Sequence, residues 1–227
     1  MLKSKGMSTR KNRKDERDDK MISTCRVSVL NVENAIRGMR NPLNSWHKSD
    51  SYYDEKGNYI LGENDLSLAM KLANAGSDDR KFMRQIIVSM DILAPLYWWK
   101  EYDTYKVGTV ANSCSTMHRI HSNEFRLSDF SWEHLDEPGL QLLEAIIDYL
   151  NHNRKLFVET KDKKYWHNMI QILPTSYQQL RTVTLNYEVL RNMYHARKHH
   201  KLAEWRELCK RIESLPYSQL ITGEETK

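Results

Sequence analysis

Residues 21–32, MISTCRVSVLNV, alternate in character and are rich in Val, Ile and Thr. Ile22, Thr24 and Arg26 fall on one side and Cys25, Val27 and Val29 on the other, a period of two that predicts a strand. The spacing then shifts to that of a short helix near Val32–Met39, which Asn41-Pro42 stops, because the residue before a proline is pushed out of the helical region. Residues 44–62 have no period and predict a loop. Asn64 and Asp65 suit a helix start, with Leu66, Ala69, Met70, Leu72 and Ala73 as its apolar stripe and Gly76 as its end. Residues 84–92 suit a second strand. Pro95 opens an aromatic helix to Tyr102. Residues 103–136 are irregular. Glu137-Pro138 opens a long helix to about Phe157, with Leu140, Leu143, Ile147 and Leu150 on one face. A further helix runs near Lys161–Ile172, residues 181–185 make a short strand, and helices follow near Tyr187–Arg197 and Leu202–Glu213. This order predicts an α+β or α/β protein, and the chain holds no internal repeats.

Composition narrows the class. Of 227 residues, 40% are hydrophobic and 29% charged, enough apolar content for a real core and too much for a disordered chain. Three cysteines, Cys25, Cys114 and Cys209, are an odd and widely spaced set, which argues against a disulfide framework and fits a reducing, cytoplasmic setting. No apolar run is long enough for a transmembrane helix, and no apolar segment follows the basic N-terminus as in a secretory signal. The net charge of +5 is concentrated in residues 1–20, which carry eight Lys/Arg against four Asp/Glu. That segment is expected to be a disordered, solubilising tail, with contact to nucleic-acid phosphates as the alternative. Residues 21–220 are expected to form one domain, and 221–227 a flexible tail.

The densest candidate chemistry lies in residues 182–212. Helical spacing gathers Asn186, Glu188, Asn192, Arg197 and Lys201 on a helix that leaves a strand end. Asn reads an amide-bearing ring with donor and acceptor together, and Arg reads phosphate or carbonyl oxygens. The segment therefore suits a nucleotide, although a solvated amphipathic helix has the same pattern. His195 and His199 have metal-ligand spacing but no evident third ligand, and His118 and His121 are equally uncommitted. Cys114 would need a base or a positive field to act as a nucleophile. The aromatic run Tyr97–Trp99 suits either ring stacking or a core. No P-loop, GxGxxG, CxxC or GxSxG motif occurs.

Two blocks resemble the flavin-dependent thymidylate synthases, the ThyX family. Ile86–Met117 is similar to that family's strand, Ala-Pro helix start, aromatic helix and RHRxxSxNExSxRY signature, with Ala94-Pro95 and Lys100-Glu101 in register. Ile172–Ile212 is similar to its ending, through Leu173-Pro174, Thr184-Leu185-Asn186, Leu190, Asn192, Arg197 and Ala203-Glu204-Trp205-Arg206-Glu207. The signature departs at its opening, which reads Thr104-Tyr105-Lys106. It departs again at Thr109, Ala111-Asn112, Cys114 and Thr116-Met117. An Arg of the second block is Glu188, and the His before the first strand is Gln85.

The resemblance implies an α+β fold with a central mixed or antiparallel sheet flanked by long helices. It implies FAD held by Gln85, Lys106, Thr109, Asn186 and Asn192, and a dUMP-like pyrimidine nucleotide held by Arg197, Cys114 and Asn112. The implied reaction is one-carbon transfer to C5 with FAD, NADPH and a methylene folate, in a homotetramer with shared sites. No metal is implied. A scaffold that binds nucleotide or flavin without turnover, and a structural or nucleic-acid-associated protein, are the alternatives.

Overall fold

A computed structural model describes residues 21–223. The basic segment 1–20 and residues 224–227 lie outside it. Its centre is a four-stranded sheet: Ser23–Leu30 (β1), Ile87–Pro95 (β4), Val110–Ser113 (β5) and Gln178–Asn186 (β6), in the order β1-β4-β6-β5, every pair antiparallel. The sheet is thus antiparallel throughout, within an α+β fold.

Differences from the sequence expectations have local causes. The alternation of β1 breaks where Arg26 takes φ 53 and the pairing slips between Cys25 and Ser28, a bulge on an edge strand. Val32–Met39 (α1) forms as expected, burying Ala35, Ile36 and Met39. The expected loop 44–62 contains a small hairpin, Tyr52–Tyr53 (β2) with Tyr59–Ile60 (β3), whose two-residue strands are too short to show a period. Glu63–Asn74 (α2) is capped at Gly62 rather than Asn64. The Asp50 carboxylate, from a neighbouring loop, accepts the N–H groups of Asn64 (2.8 Å) and Asp65 (3.0 Å). Asp65 itself turns fully inward.

A 3₁₀ segment over Asp79–Gln85 displaces the start of β4 from 84 to Ile87. Pro95 closes that strand in extended geometry and caps Leu96–Tyr102 (α3) instead of opening it. The region 103–136 is not wholly irregular, since it contains β5. Glu137–Thr160 (α4) starts on the Asp136 cap and ends at Lys161 in left-handed geometry, three residues later than expected. Lys163–Ile172 (α5) folds back on α4. Tyr187–Arg197 (α6), Ala203–Glu213 (α7) and Gln219–Thr222 (α8) complete the described residues. Leu220 and Ile221 of α8 have no exposed surface, so the C-terminal boundary expected at 220 falls inside a packed helix.

Period-two burial decides the packing. Val88, Met90, Ile92 and Ala94 of β4 and Val183 and Leu185 of β6 point into one core with Trp98, Leu190, Trp205 and Leu208. The opposite face carries Ser89, Asp91, Thr182 and Thr184, with Thr182 bonded to Asp91 (2.6 Å). A second cluster forms where α4 and α5 enclose Phe125, Phe130, Leu150 and Met169. A bridge from Phe130 to Tyr177 ties it to the start of β6. Among the described residues, no helix is long and apolar enough to cross a membrane.

Candidate functional site

The β6–α6 junction organises the candidate residues. Asn186 is both the last residue of β6 and the cap of α6, and its Oδ1 accepts the Val189 N–H at 3.0 Å. That single side chain fixes where the helix starts, by satisfying one of its free donors. Arg197 ends the same helix, eleven residues on and hence about 16 Å along the axis. Eleven residues also bring the two back to nearly the same face.

The loop 105–109 runs beside α6 in the opposite direction. At one end, a Cβ on Gly108 (φ 75) would come within 2.9 Å of Asn186 Nδ2 and 3.4 Å of Val189, so only glycine lets the loop lie this close. At the other end, Arg197 Nε donates to the Tyr105 hydroxyl at 3.0 Å. The Thr109 hydroxyl donates to the Tyr105 carbonyl and closes the loop. Lys106 and Val107 form its exposed outer edge, and Asn192 lies exposed on α6 between the two ends.

The charges around α6 come in pairs. Arg197 Nη1 donates to Glu101 at 2.9 Å, and its guanidinium lies 4.8 Å from the Trp205 ring. The same Glu101 oxygen accepts from Trp205 Nε1 at 2.8 Å and lies 3.5 Å from His200 Nε2. Leu202 N–H donates to His200 Nδ1, which leaves the other ring nitrogen to carry the proton toward Glu101. Arg181 pairs with Asp103 at 2.7 Å and stacks over Trp99 at 4.3 Å. At the N-terminal end of α6, the buried Glu188 carboxylate is held by Arg80 and Arg84. Lys106 has no carboxylate partner among the described residues.

Gln85 reaches the same end of the helix. The neighbouring Ile86 carbonyl accepts the Tyr187 N–H at 3.1 Å, while the Gln85 side chain lies against Gly38 of α1. Asn186, Thr109, Asn192, Lys106 and Arg197 thus border α6, whereas the Gln85 side chain turns to α1 and only the backbone beside it meets the helix. Asn112 and Cys114 do not border α6. Asn112 pairs across to Thr182 and Cys114 to Leu180, which puts both with the sheet face turned away from the core. Among the described residues no base is hydrogen-bonded to the Cys114 thiol, and Ser115 Oγ instead accepts the N–H groups of Met117 and His118. Lys201 stands exposed after α6.

Other sequence candidates resolve differently. Trp98, Trp99 and Tyr102 are buried in the core and offer no open ring platform. Tyr97 donates to the buried Glu204, and burial with that hydrogen bond pushes the phenol's pKa up. His195 is shifted down by burial and by the nearby Arg191 and Lys198. Among the described residues, no group of three His, Cys, Asp or Glu is placed to hold a metal. Glu101 and Tyr105 escaped the sequence reading as site partners. Each meets its partner across roughly a hundred residues of chain, and no local spacing signals that.

No protein-family model matches the sequence, and no curated protein matches it. Solved structures do. Thymidylate synthase X (ThyX) from Helicobacter pylori, crystallised with FAD and dUMP, aligns with a TM-score of 0.64 at 17% identity, over 89% of this chain and 97% of that one. A second Helicobacter pylori ThyX structure, also complexed with FAD and dUMP, gives 0.62 at 17% identity, over 87% and 97%. The UMP/dUMP methylase PolB from Streptomyces cacaoi, bound with 5-Br dUMP, gives 0.61 at 11% identity, over 88% and 93%. The chain therefore has a fold similar to the ThyX thymidylate synthases and to this ThyX-like methylase, along nearly their whole length.

Proposed function

We propose that this chain binds a dUMP-like pyrimidine nucleotide alongside α6 and loop 105–109 and transfers one carbon to its C5, with FAD as cofactor. The observation that carries the reading is the coincidence of a ThyX-like fold with Asn186 and Arg197 on one face of α6 against loop 105–109, with Asn192 exposed about a third of a turn around the helix. The donor set fits a flavin. The amides of Asn186 and Asn192 match the imide edge of such a ring. Lys106, and the free edge of the half-exposed Arg84, supply positive charge for phosphate. Bound FAD would pass hydride to the carbon supplied by a methylene folate, with NADPH as the source of electrons.

The chain's own work is positioning. Arg197, clamped by Glu101 and Tyr105 on one edge, keeps its remaining N–H groups for a carbonyl or phosphate oxygen. Asn192 offers a donor and an acceptor to the imide edge of the flavin. Asn112 and Cys114, on the other sheet face, would meet a nucleotide held by a second copy, which favours a homotetramer with shared sites.

A second reading rests on a specific observation. Arg181 and Arg197 are both already paired with carboxylates of this chain, and Thr104-Tyr105-Lys106 leaves one cation in that stretch. This favours a nucleotide- or flavin-binding scaffold without turnover. Titration calorimetry with dUMP tests the shared part of both readings. Arg197→Ala is expected to weaken binding about tenfold or more, and unchanged affinity contradicts the site. dUMP-dependent NADPH oxidation in the presence of the folate then separates turnover from binding.

A further inference from the structure

A cavity of about 260 Å³ opens beside α1, away from the α6 strip. Gly38 of α1 faces Gln85, whereas Glu33 and Arg37 lie one turn apart on a face turned about 100° away and line the cavity. Its other walls are Trp46, Tyr52 and Tyr53, which are 43%, 58% and 54% exposed. Three large rings left half in water around one cavity form an unsatisfied apolar surface.

The walls are held from beneath. Ser49, Ser51 and Arg40 all bond to the buried Asp65, at 2.6, 2.5 and 2.5 Å. Trp46 Nε1 donates to Asn41 at 2.9 Å, and Tyr53 packs edge-on against Tyr59. Arg37 lies 5.9 Å over the Trp46 ring. Glu33, its natural partner one turn away, accepts instead from the Tyr53 hydroxyl, so Arg37 has no carboxylate partner among the described residues.

Half-exposed aromatic faces stack a flat ring, and an unpaired guanidinium takes an anion. A cavity of about 150 Å³ already holds a benzene ring, so the space here suits a heteroaromatic base. We infer that this cavity is a second ligand site, for a planar heteroaromatic ring carrying an anionic group, as in a nucleoside monophosphate. It shares no residue with the α6 strip and stands whether or not that strip binds dUMP.

AMP and adenosine are the probes, titrated by calorimetry into the full chain. AMP binds the native chain, and adenosine, lacking the phosphate, binds about tenfold more weakly. Arg37→Ala lowers AMP to the level of adenosine. Trp46→Ala weakens AMP about tenfold or more, while Trp46→Phe, which keeps a ring, stays within about threefold of the native chain. Arg197→Ala leaves AMP binding unchanged. The assignment is overturned if AMP does not bind the native chain, or if Arg37→Ala binds it normally. Loss of AMP binding in Arg197→Ala with retention in Trp46→Ala also overturns it, because the nucleotide then sits on α6.

Discussion

Asp65 has no exposed surface, and its carboxylate accepts from Arg40, Ser49 and Ser51. Burial alone would favour the neutral acid, yet these three donors outweigh it and hold the carboxyl below its ordinary range. The sign of the pH effect follows. A depressed native value contributes stability above the unfolded value of about 3.9, and that contribution is lost as pH falls through the native value. Asp65→Asn is expected to cost about 3 kcal/mol or more near neutral pH, because it leaves Arg40 buried without its counter-charge. Thermal melts between pH 7 and 3 should show a steeper acid loss in the native chain than in the variant, and parallel curves would contradict this. Asp65 was legible from sequence only as a helix-start acid. Its partners come from the loop before α2, and its inward orientation follows from Asp50 taking over the cap. Asn186 was legible as a residue at a strand-to-helix junction and as a ring-reading amide, but its role as the helix cap appears only in the structure.

At the scale of elements, the β6–α6 turn does two jobs that mutation can separate. Asn186→Ala removes the cap and is expected to cost about 1 kcal/mol, measured by urea unfolding. Asn186→Asp keeps an accepting oxygen for Val189 N–H and should unfold within a few tenths of a kcal/mol of the native chain. It nevertheless loses the Nδ2 donor, so under the proposed function it should weaken FAD binding while leaving stability intact. Equal loss of stability in both variants would make Asn186 purely structural at this turn. The long α4 was readable because Pro138 opens it and its apolar period holds over many residues. The β2–β3 hairpin and β5 were not, since strands of two to four residues take their geometry from their neighbours. The displacement of β4 has a local origin: Arg84 and Gln85, read as the start of the strand, belong to the 3₁₀ segment that buries Phe82 and Met83.

At the scale of the molecule, candidate residues lie on two faces of one chain. The strip on α6 and the pair Asn112–Cys114 are separated by the sheet. Under the proposed function a shared-site assembly would bring them together, and light scattering should then give a mass near four times 27.0 kDa. A monomer would remove the shared site and leave α6 alone as the binding surface. The paired arginines also bear on this scale. The chain keeps a ThyX-like fold while pairing much of its site charge internally, so flavin affinity separates a working site from a fold that has outlived it. The most direct measurement is FAD fluorescence during titration with the purified chain, with and without dUMP. Quenching at micromolar protein that tightens when dUMP is present is the predicted result. FAD fluorescence unchanged in both conditions would contradict a flavin–nucleotide site on α6.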